Sequence, residues 1–115
     1  MPELLDLEVH RRGDAVLVSA TGEFDISSAP AVRRCIADLV RQPDIRRLFI
    51  DLRGLSFMDS IGIRLLLEVA DGSRHDGYEF AVVKGRPVVH RVIEMTGVDE
   101  RLPLVASPEE LGFRA

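Results

Sequence analysis

Two hydrophobic periods take turns along this chain, and their alternation is what most restricts its fold. Runs with a period of two are strand signals, and apolar residues three and four apart are helix signals. Residues 5–10 and 15–21 are predicted strands. Arg11-Arg12-Gly13-Asp14 between them is turn chemistry, so the two should form a hairpin. Ser27 and Ser28 then open a helix, with Pro30 tolerated in its first turn. Its apolar stripe is Val32, Cys35, Ile36, Leu39 and Val40, and Pro43-Asp44 ends it. Residues 47–52 predict a third strand and residues 54–58 a connector. A second helix runs from Ser60 to about His75, with Gly77 as its cap. Residues 79–83 predict a fourth strand. Gly85-Arg86-Pro87 begins a third helix, with Val88, Val89, Val92 and Ile93 as apolar positions and Gly97 as its stop. Leu102 to Val105 predict a short fifth strand, and the capping box Ser107-Pro108-Glu109-Glu110 starts a last short helix.

Strands alternating with helices imply parallel pairing through right-handed crossovers. The strand faces are uneven. Val16, Val18 and Ala20 share a face, as do Leu48, Ile50 and Leu52, and Phe80 and Val82. The alternate positions include Ala15, Ser19, Arg47, Asp51 and Glu79 and are more polar. The fold class expected is therefore α/β: one domain over residues 1–115, a mixed five-stranded sheet, and about four helices mainly on one face. Strands two to five should be parallel, with strand one antiparallel beside strand two.

A chain of 115 residues can bury a core without disulfides or metals. The net charge is -4, with 15 basic residues scattered among 19 acidic ones. That balance argues against direct nucleic-acid binding, which needs clustered Lys and Arg. The one cysteine, Cys35, cannot form an internal disulfide, and its place in the apolar stripe makes it a small buried residue. No apolar run reaches the length of a membrane span, and Met1-Pro2-Glu3 carries no signal-like stretch. A cytoplasmic protein without membrane insertion is expected. An enzyme is not expected. Ser60 is not in a Gly-x-Ser-x-Gly elbow, no phosphate-binding Gly-rich Lys loop is present, and His10, His75 and His90 lack metal-ligand spacing. No catalytic residue, metal or cofactor is assigned. Asp51 and Asp59 are more simply a strand residue and a helix-start residue than a catalytic pair. Lys84, Arg86, His90 and Arg91 form a small basic cluster, either a solvated face or a place for an anion.

The most informative stretch is Phe57-Met58-Asp59-Ser60-Ile61-Gly62-Ile63, which joins strand three to helix two. Ser60 is expected at the N-cap, where helix N-H groups and the dipole favour an anion. Asp-Ser before an apolar helix also fits a plain cap. Gly62 has no side chain and would let another chain come close. Asp25 and Ser60 each follow strands that should be parallel neighbours, so their loops should share the carboxyl edge of the sheet. Asp25 also suits a turn or capping role.

The segment Asp51-Leu52-Arg53-Gly54-Leu55-Ser56-Phe57-Met58-Asp59-Ser60-Ile61-Gly62 resembles the signature of STAS-domain anti-sigma factor antagonists. Thr21-Gly22-Glu23-Phe24-Asp25 and Val92-Ile93-Glu94-Met95-Thr96-Gly97-Val98 are similar to two further family elements, in the family's order. The resemblance covers nearly the whole chain. It implies a switch in which an anti-sigma factor, itself a serine-protein kinase, phosphorylates Ser60. The unphosphorylated form would bind that kinase and free a sigma factor, and a phosphoserine phosphatase would reset the system. It also implies a partner-binding surface of Asp25, Asp59, Ser60, Ile61 and Gly62. Ile61 stands where a small hydroxyl residue often follows the acceptor, and Phe24 where Leu is usual. Two other functions remain open: a STAS subunit of a membrane lipid-transport ATPase complex, and a STAS module for a small ligand or nucleotide.

Overall fold

The computed structural model describes residues 4–113. The elements are β1 (Asp6–Arg12), β2 (Ala15–Phe24), α1 (Ala29–Val40), β3 (Arg47–Met58), α2 (Ser60–Asp76), β4 (Glu79–Val83), α3 (Pro87–Met95) and β5 (Leu104–Val105). Short 3-10 turns cover Val98–Glu100 and Pro108–Leu111. The strands form one sheet in the order β1-β2-β3-β4-β5. β1 is antiparallel to β2, and every later neighbour is parallel, as expected. The last predicted helix is only a 3-10 turn. Glu110 still closes it, its carboxylate accepting from the Ser107 N-H at 3.0 Å and the Ala106 N-H at 2.7 Å.

All three α-helices pack on one side. Val16, Val18, Leu48, Ile50, Leu52 and Val82 from the sheet meet Val32, Ile36, Ile63, Leu66, Val89 and Ile93 from the helices in one buried cluster. The α3 stripe is narrower than predicted. Val89 and Ile93 lie one turn apart and are buried, while Val88 points away and is exposed. Cys35 is half-buried, not buried, because it sits at the margin of the α1 stripe. Burial pushes its thiol pKa up, and Asp38 adds to that. The thiol should therefore be alkylated several-fold more slowly than a free cysteine at neutral pH, measured with iodoacetamide. Cys35→Ala should cost about 1 kcal/mol in denaturant unfolding.

The opposite face is less polar than expected. Ala15, Leu17, Phe49, Ala81 and Val83 form a second, smaller core there. The chain after β5 covers it, with Phe113 edge-on to Phe49 at 6.1 Å between ring centres. No helix is needed on that side. Asp51 is buried on the strand positions of this face. Its carboxylate takes a forked pair of bonds from the Arg53 guanidinium at 3.0–3.2 Å and accepts from the Arg53 backbone N-H. The Arg53 pKa is raised by that hydrogen bond. Arg53→Ala leaves the buried carboxylate without its ion partner. Because the Arg53 side chain is itself half-exposed, water offsets part of the loss, and the expected destabilisation is about 2 kcal/mol by urea unfolding.

The largest departure from expectation is at the end of β3. The predicted connector is strand, and β3 runs on to Met58 beside an extended β2. Regular pairing is interrupted between Ser19 and Thr21 and between Gly22 and Glu23, where β3 advances one residue more than β2 each time. After these irregularities the strands pair again, Glu23 with Phe57 and Phe24 with Met58. Gly22 makes the path possible. Its φ is +112°, and a Cβ there would lie 2.2 Å from the Leu4 carbonyl oxygen.

Candidate functional site

The long β2-β3 pair delivers its two following loops to one place. Phe24 and Met58 are paired, and the Asp59 N-H donates to the Phe24 carbonyl at 3.3 Å. Asp25 and Asp59 each come next in their chains. The shared edge expected from parallel neighbours is present.

The cap of α2 is one residue earlier than expected. Asp59 is the N-cap of α2, with extended backbone, and its carboxylate accepts from the Ile61 N-H at 2.9 Å. Ser60 is the first residue of the helix, and it is exposed. The physical reason is that Asp and Ser compete for one cap, and only the residue holding extended backbone takes it. The Ser60 hydroxyl is thereby released from helix-ending duty, and among the described residues it has no hydrogen bond. Asp59→Ala should cost about 1 kcal/mol, as the loss of a cap does, and leave the Ser60 hydroxyl exposed. Thermal unfolding checks the first expectation.

Ile61 is half-buried against the main core. Gly62 is buried and faces inward: a Cβ there would lie 2.6 Å from Met58 Cγ and 3.3 Å from a Phe24 ring carbon. From its sequence this glycine is expected to let another chain come close. In the structure the close approach is internal, and it lets the first turn of α2 rest on the ends of β2 and β3.

Asp25 organises its own loop. One carboxylate oxygen accepts from the Ser27 hydroxyl at 2.7 Å, the Ser27 N-H at 3.0 Å and the Ser28 N-H at 3.2 Å. The Ser28 hydroxyl donates to the Glu23 carbonyl at 2.9 Å and accepts from the Asp25 N-H at 2.9 Å. The Asp25 pKa is lowered, first by the Ser27 hydroxyl. Those bonds favour the ionised form, so their contribution is present above the usual aspartate range and fades as pH falls through the lowered value. Of the two structural roles open to Asp25, turn or cap, it takes the turn: the N-cap of α1 is Ser28, and the Asp25 carboxylate bonds the loop ahead of it. That role does not remove the residue from the edge it shares with Ser60.

Beside Asp25 opens a concavity of about 300 Å³ lined by Leu4, Leu5, Glu23, Asp25, Ser27 and Ala31, among others. Two apolar side chains complete this end of the domain. Ile26, next to Asp25, is 73% exposed, and Phe57, opposite Glu23, is 44% exposed. Neither is among the partner-binding residues expected from the sequence, although Phe57 opens the stretch that joins β3 to α2. The available signal was an apolar residue in an otherwise polar Asp-x-Ser-Ser loop, and an aromatic outside the core-facing alternation.

The basic cluster near α3 is elsewhere. Lys84, His90 and Arg91 line a separate surface hollow that follows β4, whose pairing with β3 stops at Asp51, well before Met58. Among the described residues, no group of three or more His, Cys, Asp or Glu is placed to hold a metal ion, and no helix is long and apolar enough to cross a membrane.

A mixed sheet with an antiparallel edge strand and its helices on one side is the fold of this chain. The sequence matches the STAS domain family over residues 6–111, and the chain belongs to that family. It is similar to an anti-sigma F factor antagonist of Paenibacillus polymyxa, 27% identical over 87% of this chain and 86% of that one. Among solved structures it resembles an anti-sigma factor antagonist from Mycobacterium paratuberculosis, 29% identical, TM-score 0.82, covering 92% of this chain and 89% of that one. It shares its fold with the Bacillus cell fate determinant SpoIIAA in the phosphorylated form, at 20% identity and TM-score 0.69 over 94% and 96% of the two chains.

Proposed function

We propose that this chain is an anti-sigma factor antagonist whose partner is an anti-sigma factor with serine kinase activity, and that phosphorylation of Ser60 switches binding off. One observation carries the reading. Ser60 is exposed at the first position of a seventeen-residue helix while the neighbouring Asp59 does the capping. A hydroxyl so placed is open to a kinase, and its modification does not cost the helix its cap. The names of the relatives support the class of function: both the Paenibacillus and the mycobacterial proteins are anti-sigma factor antagonists. SpoIIAA, which has the same fold, exists in a phosphorylated form.

The partner surface combines the Asp25 loop and the start of α2. Ser60, Asp59, Ile61 and the exposed Ile26 and Phe57 supply polar and apolar contact. Gly62 acts from beneath, by holding α2 in place. A phosphatase returns the protein to its binding form, and the setting is the cytoplasm. The protein acts through a surface and needs no catalytic residue or cofactor of its own.

Incubation with candidate anti-sigma kinases and ATP, followed by intact mass and site mapping, tests this. One phosphate on Ser60, absent from Ser60→Ala, is expected. Stable capture of a transporter ATPase without modification, or binding of a nucleotide or small ligand without modification, would replace the reading. Asp25→Asn separates charge from loop structure, because it keeps the acceptor oxygen. It should weaken kinase binding by about tenfold, seen by titration, with the fold unchanged by circular dichroism.

A further inference from the structure

β1 is an edge strand. It pairs with β2 on one side, and among the described residues no strand pairs with the other. It is also thinly covered: six of its seven residues, all but Leu7, are exposed, Val9 at 47%. An edge of this length presents a row of unpaired backbone N-H and C=O groups to any strand that can reach it.

The order of its side chains selects one such strand. β1 reads Asp6-Leu7-Glu8-Val9-His10-Arg11-Arg12, acidic before Val9 and basic after it. An antiparallel copy centred on Val9 sets Asp6 against Arg12, Glu8 against His10, and Val9 against Val9. By symmetry the Asp6-Arg12 ion pair and the Glu8-His10 contact each occur twice. Alternation puts Asp6, Glu8, His10 and Arg12 on one face of the strand, so these contacts line up on one side of the joint. Val9 lies on the other face, opposite Val18 of β2, over the helix-side core. Two Val9 side chains meeting there would extend that core across the joint. Leu7 falls opposite Arg11, whose charge is already answered by Asp44 of its own protomer at 2.5 Å. Shifting the centre by one residue to Glu8 or His10 sets like residues against each other, Glu8 on Glu8 or His10 on His10. Charges on edge strands ordinarily ward off pairing. Here their order favours one geometry of self-pairing.

We propose that the free edge of β1 is a self-association surface, through which two copies of this chain join antiparallel about a dyad at Val9. The two sheets then become one continuous sheet. Because the dyad makes the two β1 strands antiparallel, the second sheet runs in reverse, so the two Ser60 edges point to opposite ends and both stay open. A contact limited to one strand pair is small, so the dimer is weak and concentration-dependent, and screening by salt loosens it. The surface is independent of whether Ser60 is phosphorylated.

Sedimentation velocity across a concentration series at low ionic strength tests it, with circular dichroism to verify the fold of each variant. The wild type should move from monomer to dimer. Asp6→Lys with Glu8→Lys leaves no acidic residue on that face of the strand, and His10→Glu with Arg12→Glu leaves no basic one. Each double variant alone should lose about tenfold or more in association. An equal mixture of the two should form a one-to-one heterodimer, since the basic face then meets the acidic one. All four positions are exposed, so both variants should fold. A wild type that stays monomeric up to the millimolar range overturns the proposal. So do variants that dimerise as well as the wild type, or a mixture that fails to associate.

Discussion

Gly62→Val should lower the melting temperature by about 10 °C, the steepest loss expected from any single change at the site. A Cβ at this position would already lie 2.6 Å from Met58 Cγ and 3.1 Å from its sulfur, and the two further methyls of Val have nowhere to go. Met58 and Phe24 are both almost fully buried, so neither side chain can swing into solvent. Overpacking of this kind costs about 3 kcal/mol. Gly62→Ala is the informative companion. It clashes with Met58 in the same way but gains about 1 kcal/mol of helix propensity, so a net loss near 1 kcal/mol is expected. Both are read by thermal and urea unfolding. If Gly62→Ala is as stable as the wild type yet fails to bind its partner, the glycine faces the partner after all, and the inward packing is not what fixes its identity.

The fold was legible because the two hydrophobic periods are clean. Val16, Val18 and Ala20 against Leu48, Ile50 and Leu52 gave the buried face of the central strands, and the structure buries all six. The parts that were not legible share a cause: they depend on contacts distant in sequence. Gly54 looks like a turn residue until β2 lies beside it, where Thr21 pairs with it and the strand continues. Leu17, Phe49 and Val83 share their strand face with polar positions such as Ser19, Arg47, Asp51 and Glu79, and Phe113, arriving from the far end of the chain, covers them to make a core. The site was legible in outline, since parallel neighbours must put their following loops on one edge. Its detail was not. Whether Asp59 or Ser60 caps α2 turns on one backbone conformation, which neither residue type specifies. The inward face of Gly62 likewise depends on Met58 and Phe24 meeting beneath it.

The second large effect is the switch itself. Phosphorylation of Ser60 adds about -1.5 to -2 charges and three acceptor oxygens. The domain can carry them. Ser60 is at the positive end of α2, and Arg64 is exposed one turn further along the same face, in the favourable order of acid before base. The Ile61 N-H is already held by Asp59, so the phosphate shares this end with a carboxylate and does not displace the cap. Circular dichroism and melting of the phosphorylated protein should therefore stay close to those of the unmodified one. The cost falls on the partner. A contact shaped for a neutral hydroxyl beside Asp59 meets a second, larger negative group, and repulsion, bulk and desolvation together should lower affinity by about a hundredfold or more. Ser60→Ala should bind like the unmodified protein and stay bound. Ser60→Asp should bind poorly, though less so than the phosphoprotein, because a carboxylate carries less charge and fewer oxygens.

Calorimetric titration of the cognate anti-sigma kinase with unmodified and Ser60-phosphorylated protein compares the two states directly. Tight binding by the first and about a hundredfold weaker binding by the second are expected, with both proteins folded alike. Equal affinity for the two forms would contradict this and leave Ser60 as an exposed helix-start residue with no part in the switch.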